Sequence, residues 1–440
     1  MKGGSVKEFT KYGVYVGENV TSAELTRVKI EGKGSGQGTG VHAKGGETVT
    51  LTEVTISRVQ TGVYAEKGTF KMDGGEIKEF TGYGVSVGEN VTSAELTRVK
   101  IEGKGSGQGT GVHAKGGETV TLDDVKISRV ETGIYAKKGM LKMTEGSVKD
   151  FTEYGVSVGE NVTSAELTRV KIEGKGSGQG TGVHAKGGET VTLNEVKISK
   201  VRVGVDVEKG TLIMKGESTI SLANGNSYGV GVYVGDKVES ATLMGTTITG
   251  QNSGKGSTGI YAVGAESLMM TLEGVKISGV TKGVSMEKGE SLTISGGSRI
   301  EFTGDYGVGV YVGDKVESAT LMGTTITGQN NGIGVYTMGS ENLTMTLDAV
   351  RILGVGKGVY MEKGKSLTIS GRSRISFMGS YGVMVGGGVT SADLKDVTIR
   401  GKNNGTGVHA VGKEGMVMTL DGVTVSQVET GVMMMGKGCW

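Results

Sequence analysis

Short segments of the chain alternate between apolar and polar residues. In the segment Thr48–Val59 (TVTLTEVTISRV), the residues expected to point inward are Val49, Leu51, Val54 and Ile56. A period of two is typical of a β-strand that has one buried face. The three-residue step from Leu51 to Val54 predicts a corner or bulge at which the strand turns. We expect glycines to supply the positive φ that such tight turns need.

A long internal repeat organises these segments. The segment Tyr12–Leu51 recurs at Tyr83–Leu122 with one change and again at Tyr154–Leu193, which gives a period of 71 residues. Looser copies begin near Tyr228, Tyr306 and Tyr381. A glycine followed by a β-branched residue recurs 18 times at intervals of 22 to 30 residues, and these glycines include Gly229 and Gly307. We call each interval a rung, so the 71-residue repeat holds three rungs.

A single rung cannot bury its own apolar face, whereas stacked rungs can, through parallel strand pairing at a spacing of about 4.8 Å. The sequence therefore predicts an all-β protein, a right-handed parallel β-helix of about 18 rungs built as six three-rung repeats. A leucine-rich repeat is the main alternative at this period, but its L-x-x-L-x-L-x-x-N frame is absent. Glycine makes up 84 of the 440 residues, which disfavours helix.

We expect residues 1–440 to form one continuous β-helix that is truncated within a repeat at both ends. Met1–Phe9 aligns with Met72–Phe80 at the 71-residue offset, but the strand that precedes the second segment has no counterpart before the first. At the other end, Cys439 and Trp440 fall where Met140 begins a strand in an earlier repeat. For a fragment of this kind, the lack of a visible signal peptide carries no information about the compartment.

Charge and hydrophobic run length exclude several function classes. The chain has 48 basic and 46 acidic residues, so no clustered basic surface is expected to attract nucleic acid. No apolar run approaches the roughly 20 residues of a transmembrane helix. The single cysteine, Cys439, excludes an internal disulfide and a thiol-based zinc site. We therefore expect neither a nucleic-acid partner nor a transmembrane segment.

We also expect no catalytic residue, no cofactor and no metal ion. Four histidines share the context T-G-V-H-A, and they are His42, His113, His184 and His409. The first three lie three rungs apart, roughly 14 Å, which is too far for them to share a zinc ion. The only adjacent aspartates are Asp123 and Asp124, and we favour a solvated strand edge there over an acid–base pair.

A glycine-rich segment gives one rung of each repeat its extra length. Gly32–Gly40 (GKGSGQGTG) recurs at Gly103–Gly111 and Gly174–Gly182, and no helix follows to make it a phosphate-binding loop. If the rungs stack in register, these loops protrude from one side and their lysines form an interrupted basic ridge: Lys33, Lys104, Lys175, Lys255 and Lys402. An inserted loop without a function is the alternative. The candidate partner-binding residues are Lys33, Gln37, Lys104, Gln108, Lys175 and Gln179.

The rung pattern resembles the passenger domains of bacterial autotransporters, the AIDA- and pertactin-like β-helices of type V secretion. The resemblance covers the whole chain through runs such as Gly210–Ile220 (GTLIMKGESTI) and Gly289–Ile300 (GESLTISGGSRI). Among passengers, the repeat style is most similar to the secreted angiogenic-factor type, whose members are ligands of a host growth-factor receptor. The resemblance implies export through the outer membrane to the bacterial surface or the medium, with a C-terminal outer-membrane barrel in the full-length protein.

Three function classes follow from these observations. The favoured one is a non-enzymatic passenger that binds a host-cell surface protein, such as a growth-factor receptor, or the extracellular matrix, as an adhesin or a growth-factor-like virulence factor. The second is a passive stalk or surface-layer protein. The third is a β-helical enzyme that cleaves polysaccharides.

Overall fold

A computed structural model of the chain describes residues 1–34, 36–105, 107–176, 178–223, 228–251, 256–412 and 414–436. The described residues form strands, turns and bends, and none of them is helical. The chain divides into two compact units, Met1–Thr211 and Leu212–Trp440. Lys255 and Cys439 lie outside the described residues.

Short strands build both units. The strands of the first unit are Ser5–Phe9, Tyr12–Val16, Ser22–Thr26, Lys29–Gly32, Thr39–Ala43, Thr48–Ser57, Thr61–Phe80, Tyr83–Thr97, Lys100–Gly103, Thr110–Ala114, Thr119–Asp123, Lys126–Ser128, Thr132–Thr144, Ser147–Phe151, Tyr154–Thr168, Lys171–Gly174, Thr181–Ala185, Thr190–Asn194 and Lys197–Val201. The strand Val203–Lys215 begins in the first unit and ends in the second. The strands of the second unit are Thr219–Leu222, Val230–Met244, Thr247–Thr249, Thr258–Ala262, Met269–Glu273, Lys276–Val280, Lys282–Ser295, Arg299–Phe302, Val308–Met322, Thr325–Thr327, Ile333–Thr337, Thr344–Asp348, Arg351–Ser370, Arg374–Lys395, Thr398–Arg400, Thr406–Gly412, Val417–Asp421, Thr424–Ser426 and Thr430–Gly436.

Each rung contributes a segment to three parallel faces. Face A contains Tyr12–Val16 and the segments in register with it, such as Thr39–Ala43. Face B contains Ser22–Thr26 and its register partners, and face C contains Lys29–Gly32 and its register partners. Longer strands such as Thr61–Phe80 pass through all three faces. The predicted all-β parallel solenoid of about 18 rungs is confirmed.

The core consists of ladders of similar apolar side chains. The prediction for Thr48–Val59 is confirmed, because the four inward residues of that segment are at most 2 % exposed. On face C, Ile30 is in register with Ile56, and Ile77 is in register with Ile101. A fully buried Ile contributes about 1.5–3 kcal/mol through removal of its surface from water. Repetition of such contacts from rung to rung holds the stack together.

The corner between faces B and C differs from the sequence prediction. It lies at Glu53, whose φ is 52°, and the expectation that glycine supplies the positive φ is wrong at this position. The equivalent residues Arg98 and Glu195 also have positive φ, at 54° and 55°. In the second unit, Gly245 and Gly274 do occupy this corner, each with a φ of 61°. Ala349 and Asp396 also occupy this corner in the second unit with positive φ, so both units carry backbone strain at the corners that lack glycine.

Glycine is required at the start of face A wherever the backbone of the next rung approaches closely, as at Gly40. A Cβ added to Gly40 would lie 2.7 Å from the carbonyl oxygen of Gly62 in the next rung, so the close approach of the two backbones excludes any side chain. In two rungs, the glycine that the sequence predicts at the start of face A lies two residues before the glycine that occupies this position in the structure. Register pairs Val232 with Ile260 and Val310 with Val284, so the structural equivalents are the glycines at 231 and 309 rather than 229 and 307. The unbroken run of the β-helix from residue 1 to 440 stays a prediction.

Candidate binding surface on face A

One outward position of face A forms a continuous column in each unit, which we call the A column. In the first unit its members, in register from rung to rung, are Tyr15, His42, Tyr64, Ser86, His113, Tyr135, Ser157, His184 and Asp206. In the second unit they are Tyr233, Tyr261, Ser285, Tyr311, Tyr336, Tyr360, Met384, His409 and Met433. The parallel register therefore aligns aromatic side chains that lie 22 or more residues apart in sequence.

The rings of the A column in the first unit contact one another directly. His42 stacks on Tyr64, with centroids 5.1 Å apart and an interplanar angle of 23°. Tyr12, three residues before Tyr15 on the same strand, adds a ring 4.8 Å from His42. In a later repeat, Tyr154 makes the same kind of contact with His184, at 4.7 Å and 14°. Ring packing of this kind fixes side chains that would otherwise rotate freely on an outer surface.

Tyrosines dominate the A column in the second unit. Tyr336 and Tyr360 are stacked with centroids 5.2 Å apart and an angle of 17°. Both hydroxyls donate to the carboxylate of Glu362, at 3.2 Å and 3.3 Å. Burial, followed by the negative charge of Glu362, raises the pKa of Tyr336 to about 12. The hydroxyl therefore stays protonated near neutral pH and remains available as a donor.

In some rungs the residue that directly follows face A is charged, and it then influences the local electrostatics of the A column. Nε2 of His42 lies 2.6 Å from Oε1 of Glu66, and Nε2 of His184 lies 3.0 Å from Oε1 of Glu208. The residue equivalent to Glu66 beside His113 is Lys137. Burial, Lys115 and Lys137 together lower the pKa of His113 to about 4. Repeats with nearly the same sequence thus place their histidines beside side chains of opposite charge.

An open groove of about 460 Å³ lies beside the A column in the second unit. Its lining includes Tyr306, Tyr336, Lys357 and Asn331. Tyr306 is 93 % exposed, and Nδ2 of Asn331 donates to Oδ1 of Asp305 at 2.7 Å. The groove therefore combines aromatic surface with polar groups of both charges.

The comparisons with known proteins concern the fold. The profile of the family described as "Right handed beta helix region" matches residues 39–180 and 181–350, most of the chain. The chain belongs to this family. No curated protein and no solved structure matches it.

The predicted loop residues of this β-helix lie at the surface. The exposed residues are Lys33, Gln37, Lys104, Gln108, Lys175, Gln179 and Lys402. Side chains of later rungs bond to these loops: Oγ1 of Thr81 donates to the carbonyl of Gly36 at 3.1 Å, and Oγ1 of Thr152 donates to that of Gly107 at 3.4 Å. Thr81 lies two rungs beyond Gly36, directly before the start of a face A segment. A role for these residues in partner binding stays a prediction.

The other candidates from the sequence lie apart from the A column. Asp124 forms an ion pair with Lys126 at 3.3 Å, and Asp123 is exposed at the end of face B. Among the described residues, no group of three or more His, Cys, Asp or Glu side chains is placed to hold a metal ion. The described part of the chain also contains no helix long and apolar enough to cross a membrane.

The tyrosines of the A column were not predicted from the sequence. The histidines were considered one at a time, whereas the relevant signal is the residue that follows the glycine and β-branched residue at the start of each rung. Tyr64, Tyr135 and Tyr360 all occupy this position, as do the histidines. Alignment of every rung at that position would have revealed the column.

Proposed function

We propose that this β-helix is an exported, non-enzymatic binding protein of the autotransporter-passenger type, which attaches to a host-cell surface protein through the A column. The observation that carries the proposal is the outward alignment of aromatic side chains along the A column. In the first unit tyrosines contact histidines of neighbouring rungs, and in the second unit tyrosines contact each other, with Tyr336 stacked on Tyr360. Proteins with this fold include both enzymes and non-enzymes, so the fold does not decide between the classes. The character of the exposed surface is the basis of the proposal.

Tyrosine suits a recognition surface for physical reasons. Its ring provides a large apolar contact area, its hydroxyl provides a hydrogen bond, and only two side-chain torsions must be fixed on binding. In the A column much of the entropic cost of fixing these torsions is already met before binding, because neighbouring rings hold each other in place. Tyr15 is 50 % exposed, and the other tyrosines of the column are partly exposed, so each offers a ring edge to a partner.

The charges around the A column favour a folded protein as the partner. Glu66 and Glu208 border the column in the first unit, and Lys44 and Lys115 lie next to the same strands. Charges of both signs suit a protein surface, which carries charges of both signs itself. A uniformly acidic polysaccharide would instead require a predominantly basic surface. A growth-factor receptor, which the resemblance implies, fits this description.

The test compares two variants of the chain. The first changes four tyrosines of the A column, and its substitutions are Tyr64→Ser, Tyr135→Ser, Tyr336→Ser and Tyr360→Ser. The control changes four exposed cationic residues of face C, and its substitutions are Lys126→Ser, Lys197→Ser, Lys276→Ser and Arg299→Ser. Binding to cultured endothelial cells is measured by flow cytometry, with far-UV circular dichroism as the check on folding.

We expect the face A variant to bind at least tenfold more weakly than the unmodified chain and the face C variant to bind as well as it. Equal binding by both folded variants would contradict the role of the A column. Failure of the unmodified chain to bind cells would favour the passive stalk. Turnover of an acidic polysaccharide by the unmodified chain would favour the enzyme and contradict the proposal.

A further inference from the structure

His409 differs from the other histidines of the same motif. Its side chain is buried, with 9 % of the residue exposed, and neither ring nitrogen has a hydrogen-bond partner in the described part of the chain. In His42 and His184, by contrast, Nε2 contacts a glutamate. A buried polar atom without a hydrogen-bond partner costs free energy, and a ligand bound to that atom would remove the cost.

The neighbours of His409 in the A column are both methionines. Met384 precedes it and Met433 follows it, each in direct register on an adjacent parallel strand. Adjacent strands lie about 4.8 Å apart, and the methionine side chain has three rotatable bonds. Rotation of the two side chains can therefore bring both thioether sulfurs to the imidazole. The ring of Tyr381, with its centroid 5.1 Å from that of His409, covers another side of the site.

This arrangement is specific to the last histidine of the chain. His42 lies between Tyr15 and Tyr64, and His113 lies between Ser86 and Tyr135. Neither of them has a thioether in a neighbouring rung of the A column. The same backbone position therefore carries different ligand chemistry in different repeats.

We propose that His409, Met384 and Met433 form a binding site for one Cu(I) ion. Thioether sulfur is a soft ligand that selects Cu(I), and a neutral imidazole also suits copper. One nitrogen and two sulfurs would give a three-coordinate site, and binding involves no change in the oxidation state of the ion. Met433 is 36 % exposed, which gives the ion a path to the otherwise buried nitrogen.

The expectation of no metal ion rested on the spacing of the histidines and the single cysteine as zinc ligands. Zinc does not prefer thioethers, so that reasoning does not bear on Cu(I). The proposal extends beyond cell binding and is independent of it, because the site lies on rungs that the cell-binding variants leave unchanged.

The test is an anaerobic titration with Cu(I) in competition with the chromogenic chelator bicinchoninate. The starting chain carries Cys439→Ser, so that the thiol cannot bind the ion. The site variants are His409→Gln, Met384→Leu and Met433→Leu, and Leu conserves the volume of Met. The matched controls are His113→Gln and Met269→Leu, a histidine of the same motif and an exposed methionine of face B.

We expect the starting chain to bind one equivalent of Cu(I), with nitrogen and sulfur ligands in a 1:2 ratio by X-ray absorption. His409→Gln should abolish this binding, each Met→Leu change should weaken it at least tenfold, and both controls should bind as the starting chain does. The proposal is overturned if the starting chain does not compete with the chelator. It is equally overturned if the site variants, shown to be folded by circular dichroism, bind Cu(I) as tightly as the controls.

Discussion

Nε2 of His42 lies 2.6 Å from Oε1 of Glu66, whereas His113, at the same position of the next repeat, has Lys137 in place of that glutamate. The two repeats share almost all of the sequence around these histidines. One exchange of a glutamate for a lysine nevertheless changes the electrostatic environment of the ring. The duplicated repeats of this β-helix thus differ in charge at the residues just after face A.

The depressed pKa of His113 predicts a loss of stability in mild acid. The unfolded chain takes up a proton on this ring near pH 6.5, whereas the folded chain does so only near pH 4. Between these values the unfolded state binds more protons, so the free energy of unfolding falls as the pH is lowered. For this partly exposed ring the loss is on the order of 1–2 kcal/mol.

The variant His113→Gln, which has no titrating ring at this position, checks that prediction. Urea midpoints are compared at pH 7 and pH 4.5 for the unmodified chain and the variant. We expect the variant to lose less stability over this interval, since all other titrating groups are common to both. Equal losses would show that His113 does not titrate abnormally.

Gly105 lies in the rung before the one that begins at Gly111, and the two glycines predict different effects of the same substitution. A Cβ on Gly111 would lie 2.6 Å from the carbonyl oxygen of Gly133, whereas a Cβ on Gly105 would have no atom within 4 Å. We expect Gly111→Ala to destabilise the chain by about 2–3 kcal/mol through overpacking against backbone. Gly105→Ala should change stability by no more than about 0.5 kcal/mol. Thermal unfolding measures both, and similar midpoints for the two variants would contradict the stacked register.

Backbone strain at the corner between faces B and C predicts that one substitution there increases the stability of the chain. Glu195 is exposed and has a φ of 55°, so Glu195→Gly should stabilise the chain by about 0.5–1 kcal/mol through relief of strain. At the equivalent corner of the second unit, Gly274→Val should destabilise it, because a β-branched residue resists a φ of 61°. Chemical denaturation measures both changes. A destabilising effect of Glu195→Gly would mean that its side chain makes a contact worth more than the strain.

The sequence predicted the core more accurately than the turns. Alternation in Thr48–Val59 is enough to identify Val49 and Ile56 as buried, because the side-chain period of a strand is fixed. It does not identify Glu53 as a left-handed corner, because charged residues rarely adopt positive φ and only the stacked rungs on both sides impose it. The shift from Gly229 to Gly231 was missed because Gly-Val occurs twice in succession there, and only pairing with the neighbouring rung decides between them.

The candidate surface was predicted only in part. The exposed positions of Lys33 and Lys104 follow from the extra length of their loops. The contact between Tyr64 and His42 does not follow from either residue alone, since it depends on the register between two rungs. Recognition of the A column therefore required the pairing of strands in three dimensions.

The glycine-rich loops give a further prediction, which concerns the basic ridge. All three loops, with Lys33, Lys104 and Lys175, are replaced by the shorter turn of a 22-residue rung. We expect cell binding to weaken severalfold, and replacement of one loop alone to matter less, because several weak contacts act together. Each contact is weak because glycine-flanked loops lose conformational entropy when they become ordered. Unchanged binding by the folded triple replacement would exclude the ridge and leave the A column as the binding surface.

Site-specific photo-crosslinking to the host-cell surface tests the proposed binding face most directly. A benzophenone amino acid is placed at Tyr135 on the A column, at Gln108 in a loop, or at Lys126 on face C, all within the first unit. We predict that the Tyr135 position crosslinks to a discrete host membrane protein and that the Lys126 position does not. Crosslinking from Lys126 but not from Tyr135 would contradict the central claim that this β-helix binds its partner through the A column.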